Sequence, residues 1–159
     1  MALFGSDVEC ATHTLLALHM SAGRASASEL AAYQGTSPSQ VAKILSLLQR
    51  AGLVNGAAGR SGGYEILKAA KDISLADIVD ATQGAKPLFT CREVRRRCVL
   101  FDELPPKWAT SGSCSIHKAF LAAEKAMRRV LEDTSLAAIA RSVNRKSPDG
   151  FKQSTEEWF

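Results

Sequence analysis

Cys91, Cys98, Cys114 and His117 follow one another as Cys-x6-Cys-x15-Cys-x2-His, the densest run of soft donor side chains in the chain. Deprotonated thiols and a neutral imidazole are what iron and zinc take as protein ligands. Cys114 and His117 open a helical period, where unpaired amides and the helix dipole favour thiolate over thiol. A basic cluster of Arg92, Arg95, Arg96 and Arg97 pushes the same way. The spacing lacks the closely spaced cysteine pairs of zinc sites. Three loosely spaced thiols on a flexible segment suit an iron–sulfur cluster completed by a non-thiolate ligand. Zinc, or an unmetallated thiol switch, stays open on spacing alone.

These residues need elements to hold them. From Lys86 to Ser113 no period is visible, and Pro105-Pro106 interrupts the stretch, so Cys91 and Cys98 are expected on a long loop of about 25 residues, a length that is usually functional or disordered. Cys114 begins a helix predicted from about Ser115 to Glu132, with an apolar stripe of Ile116, Phe120, Ala123, Met127 and Val130-Leu131. At about 1.5 Å per residue that helix outreaches a small domain, and its stripe calls for a partner, most simply a twofold copy. Ser135 to Ile139 starts another short helix. The remainder to Phe159 reads as a polar tail, with Pro148 and Gly150 in it and Trp158-Phe159 as a point that could dock.

Upstream, Asp7 to Ala22 reads as a first helix with Val8, Ala11, Leu15 and Leu18 on one side, and Ser26 or Ser28 starts a second carrying Leu30, Ala31 and Tyr33. Gly35-Thr36 turns into a third helix, capped by Ser37, entered through Pro38 and closed by a Ser37–Gln40 capping box. Val41, Ile44, Leu45 and Leu48 form its buried stripe, while Ser39, Gln40, Lys43, Ser46 and Arg50 lie mostly on the other side, where short hydrogen-bonders and cations suit a DNA major groove. Leu53-Val54 and Tyr64 to Leu67 are two short strands around Gly59-Arg60-Ser61-Gly62-Gly63, whose glycines permit close backbone approach to phosphate. A helix-turn-helix followed by such a hairpin is a winged helix. DNA contact is assigned to Ser37, Ser39, Gln40, Lys43 and Arg60, with Ser61 and Gly62 approaching the backbone. Ser74 caps a further helix from Leu75 to Thr82 that Gly84 stops.

The expected fold is therefore mainly α with a small β-wing. Residues 1–84 form a winged helix-turn-helix DNA-binding domain, 85–113 a cysteine-bearing sensor loop, 114–140 a dimerisation helix region and 141–159 a polar, flexible tail. With 159 residues, 46% of them apolar, the chain can bury a core, and a net charge of +4 is compatible with a nucleic-acid partner without requiring one. No run of about 18 apolar residues is present to span a membrane. The start lacks a basic-then-apolar leader, so a cytoplasmic protein with reduced thiols is expected. No nucleophile–base–orienter set and no nucleotide-binding loop is visible, so no enzyme is expected.

The arrangement resembles the bacterial winged-helix regulators that include IscR, NsrR, RirA and CymR, from about Val8 to Ala140. The resemblance rests on Ser37-Pro38-Ser39-Gln40-Val41, Lys43-Ile44-Leu45 and Leu48, Ala51-Gly52-Leu53-Val54, Gly59-Arg60-Ser61-Gly62-Gly63-Tyr64, Ser74-Leu75-Ala76-Asp77-Ile78, and Cys114 opening the last long helix. It implies a homodimeric transcription regulator, a repressor in the leading reading, on double-stranded DNA with a palindromic operator. It also implies an iron–sulfur cluster, [2Fe–2S] favoured over [4Fe–4S], that reports redox state, iron or cluster supply, or nitric oxide. Carried over by position, Cys91, Cys98 and Cys114 take the three-cysteine places and His117 the histidine ligand's place. The gap from Cys98 to Cys114 is longer than the family's usual spacing. Glu9 and His13, four apart on the first helix, resemble an alternative pair supplied by the partner subunit, and Asp7 or Glu9 an acidic ligand from that helix. The alternatives are a cluster-free thiol-based or zinc-binding regulator, and an interaction module controlled by a partner enzyme, as in family members that bind DNA only with such a partner.

Overall fold

The structure is a computed structural model that describes residues 3–21, 23–59, 62–101 and 104–159. Three helices come first: α1 (Ser6–Met20), α2 (Ala27–Gln34) and α3 (Pro38–Arg50). Two antiparallel strands follow, β1 (Val54–Ala57) and β2 (Gly63–Ile66), paired from Val54 with Ile66 to Ala57 with Gly63. Then come α4 (Leu75–Gln83), a short α5 (Lys107–Thr110), α6 (Ser115–Asp133), α7 (Leu136–Lys146) and α8 (Phe151–Trp158). A mainly helical fold with a small β-wing is what the sequence led us to expect.

Local chemistry explains the boundaries. Ser26 and Glu29 form a reciprocal capping box on α2, Glu29 N–H donating to Ser26 Oγ at 3.2 Å and Ser26 N–H to Glu29 Oε2 at 2.7 Å. Gly35, at φ 62°, ends that helix in the left-handed conformation. Ser74 and Asp77 build the same box on α4. At the wing, Gly62 and Gly63 are required by space. A Cβ on Gly62 would collide with the Ala57 carbonyl oxygen, and one on Gly63, whose φ is 125°, would press on the Ala25 backbone at 3.0 Å. Ala25 and Tyr64 exchange backbone hydrogen bonds at 3.1 and 2.8 Å, tying the wing to the strand-like residue before α2.

The described residues separate into two compact units, 1–85 with 131–159, and 86–130. In the first, Leu15, Leu30, Ile44, Leu45, Leu48, Leu53, Ile73, Ile78 and Leu136 are among the largest fully buried side chains. The α3 stripe is buried as its period predicts, and α1 buries more than one side, Thr14, Leu16 and Ala17 included. Residues 141–159 depart from the expected flexible tail. α7 runs past Ile139 to Lys146, and Leu136 and Ala140 join the core. α8 lies against α2, where Tyr33 meets Phe159 and Trp158 at ring-centroid distances of 5.1 and 6.2 Å. Thr155 is buried because its hydroxyl is satisfied twice, donating to the Phe151 carbonyl at 3.0 Å and lying 3.1 Å from the Tyr33 hydroxyl. Trp158-Phe159, named as a possible docking point, are therefore seated.

The second unit holds a short 3-10 turn, Val94–Arg97, then α5 and most of α6. The expected structureless stretch thus contains two short helical pieces. α6 buries none of its residues, and Ile116, Phe120 and Val130 of its apolar stripe stay exposed.

Candidate functional site

The outer surface of α3 and the wing form the first candidate region. Ser37 caps α3, its Oγ accepting from the Gln40 N–H at 3.2 Å and lying 3.2 Å from Ser39 Oγ. The Gln40 side chain does not return to Ser37, so only half of the predicted capping box exists. Its Nε2 donates to Asp7 Oδ1 at 2.8 Å, and Lys43 Nζ donates to the other oxygen, Oδ2, at 2.8 Å. Donating to the charged carboxylate turns the amide toward α1 and takes its oxygen away from the Ser37 N–H. Lys43 first and Gln40 second hold the Asp7 carboxyl below the ordinary carboxylate range. Asp7, proposed from sequence as an acidic ligand, is thus engaged by the helix assigned to DNA. Gly62 stands in the wing; Arg60 and Ser61, assigned to DNA contact, lie outside the described residues, as does Ala22 at the predicted end of the first helix. Behind the wing, Arg24 and Glu65 form an ion pair that fixes β2 to the segment preceding α2.

The second candidate region is the thiol segment. Glu93, alone among the described non-glycine residues, has a positive φ, 50°. That bend aims its N–H at Cys91 Sγ, 3.4 Å away, and brings its carboxylate within 3.8 Å of the same sulfur. Arg95 closes the turn, one Nη donating to both Glu93 oxygens at 2.8 and 2.9 Å and to the Gly112 carbonyl at 3.2 Å. Arg95 is held protonated by Glu93 first and by the nearby Cys114 and Cys91 sulfurs after it. Cys114 sits just before α6, and its thiol is lowered chiefly by the His117 N–H, with the Ile116 N–H and Arg95 adding to the effect. The lowered thiol at a helix start agrees in direction with the sequence expectation, and Arg95 is the member of the basic cluster that adds to it. One turn on, His117 packs beside Phe89, which stacks on Phe120 at 4.5 Å, and its enclosed Nδ1 has no hydrogen-bond partner.

Arg95 thus reaches Cys91 through Glu93, which lies between them, and acts on Cys114 through its charge. Cys98 ends the 3-10 turn, its carbonyl accepting from the Phe101 N–H at 3.0 Å. Among the described residues no three of the His, Cys, Asp and Glu side chains converge to hold a metal ion. The donor set nevertheless fits an iron–sulfur group in kind, with thiols, a cation to offset their charge, and an imidazole nitrogen enclosed without a partner. No sequence signal marks a left-handed Glu93, since the residue types that favour that conformation are Gly, Asn and Asp.

Glu9 and His13 lie on one face of α1, as their spacing predicts. They line a cavity of about 790 Å³ together with Cys10, Tyr33, Val143 and Phe151. Burial raises the Cys10 thiol above its ordinary range. Among the described residues, no helix is long and apolar enough to cross a membrane.

Comparison with known proteins gives a consistent result. Residues 4–142 match Rrf2, described as an iron-dependent transcriptional regulator family. A protein of Mycobacterium tuberculosis (strain H37Rv) named as an HTH-type transcriptional regulator, Rv1287, is 35% identical over 112 residues, or 70% of this chain, and the alignment spans 63% of that protein's length. Among solved structures, CymR, the global cysteine regulator of B. subtilis, superimposes with a TM-score of 0.68 at 20% identity, covering 89% of this chain and 98% of that one. IscR of T. potens gives 0.65 at 20% identity, with 96% of each chain covered. At that identity the two structures speak for the fold.

Proposed function

The chain belongs to the Rrf2 family of iron-dependent transcriptional regulators, and on that premise we propose a homodimeric regulator whose DNA affinity is set by an iron–sulfur cluster. As a member it is a DNA-binding transcription regulator and not an enzyme. In this reading α3 enters the major groove with Ser37, Ser39, Gln40 and Lys43, while Arg60, Ser61 and Gly62 of the wing meet the backbone of a palindromic operator. The exposed stripe of α6 pairs with its twofold copy. Residues 85–113 act as the sensor segment, and of the expected dimerisation region 114–140 the part that pairs is α6, since Leu136 and Ala140 are buried in the winged unit.

Cys91, Cys98, Cys114 and His117 would hold the cluster, with Glu9 and His13 of a partner subunit as alternative ligands. A bound cluster supplies one-electron redox chemistry and iron that reacts with oxygen or nitric oxide. The observation that supports this reading is the turn in which Glu93, bound by Arg95, receives the Cys91 thiol, beside the partnerless Nδ1 of His117 one turn on from Cys114. In it, Cys114 presents a thiolate at the helix start, Arg95 offsets the added negative charge, and Glu93 locks the turn.

The test is purification without air, followed by absorption spectra and iron and sulfide analysis. Iron and sulfide in equal amounts, lost in a Cys114→Ser variant that still dimerises, is the expected result. Colourless, iron-free protein after anaerobic reconstitution overturns the cluster and leaves DNA binding standing. A cluster-free thiol regulator is the second reading, favoured by the lack of convergence of any three donors among the described residues. Zinc in place of iron in the same metal analysis would point to a third.

A further inference from the structure

Asp7 stands on the first turn of α1 and reaches across to α3. Both of its oxygens are taken by α3 side chains, Gln40 Nε2 and Lys43 Nζ, each at 2.8 Å. Gln40 and Lys43 are three apart and share a face, so one carboxylate serves two residues that point outward together. Lys43 remains more than half exposed at 57%, and Asp7 is 27% exposed, which places the pair at the rim of the helix and not under it. The remaining exposed polar residues of α3, Ser39, Ser46, Gln49 and Arg50, include one cation.

We propose that Asp7 is a specificity-determining residue of the DNA interface, which cancels the charge of Lys43 and orients the amide of Gln40 so that the α3 face discriminates between sequences instead of clinging to any duplex. The proposal rests on the assignment of α3 to DNA. A lysine that neutralises a phosphate contributes about 0.9 to the slope of log affinity against log salt, independent of sequence. With a carboxylate on its ammonium, Lys43 brings little net charge to a phosphate. The Gln40 amide has two N–H groups and one oxygen. Asp7 takes one N–H and thereby fixes the amide plane. The other N–H and the oxygen remain available, a donor and an acceptor of the kind that the major-groove edge of adenine takes. Asp7 thus weakens the sequence-blind part of binding and prepares the part that reads bases.

The experiment uses the full chain and two duplexes, one selected from a random pool for tight binding and one scrambled, titrated over a range of salt. Asp7→Ser removes the carboxylate and keeps a residue suited to a helix start; Asp7→Asn is the second variant should the first fold poorly. Affinity for the scrambled duplex should rise about 3- to 10-fold at low salt, the salt slope should steepen by about 0.9, and the ratio between the duplexes should fall. In a Lys43→Met background the slope change should vanish. An unchanged slope, a fall in affinity for the scrambled duplex, or an equal change in the Lys43→Met background overturns the proposal. If Lys43→Met leaves binding to both duplexes unchanged, the DNA assignment of α3 fails and the proposal with it. If Lys43→Met weakens binding but the Asp7 variants do nothing, the proposal fails alone.

Discussion

Leu136→Ala tests whether the C-terminal helices complete the DNA-binding unit. Leu136 is fully buried at the start of α7. Its backbone is pinned on both sides: its N–H donates to the Ile73 carbonyl at 2.8 Å, and the Leu75 N–H donates to Thr134 at 2.9 Å. The substitution removes three buried carbons, about 0.8 kcal/mol each in transfer free energy, or roughly 2.4 kcal/mol in all. Because the pinned backbone cannot follow the shortened side chain, most of the cavity persists, which moves the cost towards about 4 kcal/mol within the usual range for a buried leucine. That is a large part of the roughly 5–15 kcal/mol that holds a domain together. Urea unfolding followed by circular dichroism should show the midpoint falling by about 2 M for a denaturant dependence of about 2 kcal/mol/M. Chain concentration must be equal in both titrations, since a dimer's stability depends on it. Leu67→Ala, at a side chain 56% exposed, should change stability by less than about 0.5 kcal/mol. A loss below about 1 kcal/mol for Leu136→Ala would refute the docking of α7 on the winged unit.

Ser26→Ala removes the hydroxyl that accepts from the Glu29 N–H and leaves the backbone half of that capping box in place, Ser37→Ala removes the corresponding acceptor on α3, and each should cost about 1 kcal/mol, read from the same urea titrations; an unchanged midpoint for either would contradict its cap. Thiol alkylation of metal-free protein, followed by mass spectrometry, should separate Cys114 from Cys10. The thiolate is the reacting form, so lowered Cys114 should label at a lower pH than an ordinary thiol and raised Cys10 at a higher one. Labelling of Cys10 ahead of Cys114 would contradict both environments.

The winged unit was legible because each of its elements announces itself locally. Ser37-Pro38 marks the start of α3, Val41, Ile44, Leu45 and Leu48 mark its buried side, and Gly62-Gly63 mark the wing, and every one of these signals lies within a few residues of its consequence. The last 19 residues differ from the expected flexible tail for the opposite reason. Phe151, Thr155 and Trp158-Phe159 do recur at helical spacing, yet Thr155 weighs as polar in any sequence count. What buries it is a hydroxyl partner on Tyr33, more than a hundred residues earlier, and no local pattern carries that information.

The same division runs through the site. The chemistry of the thiol segment was readable from residue types, but its geometry turns on a glutamate in a conformation that its type disfavours, held by an arginine two residues on. On α3 the residue types give a polar and cationic outward face, and a list of independent contacts. Asp7 changes that. The carboxylate comes from another helix and converts a cation and an amide into one coupled group, so the charge this face offers to DNA is smaller than its lysine count suggests. Residue type settles which atoms can touch a base or a phosphate; the neighbours that tertiary packing supplies settle how much each contact is worth, and with it the balance between clinging to DNA and reading it.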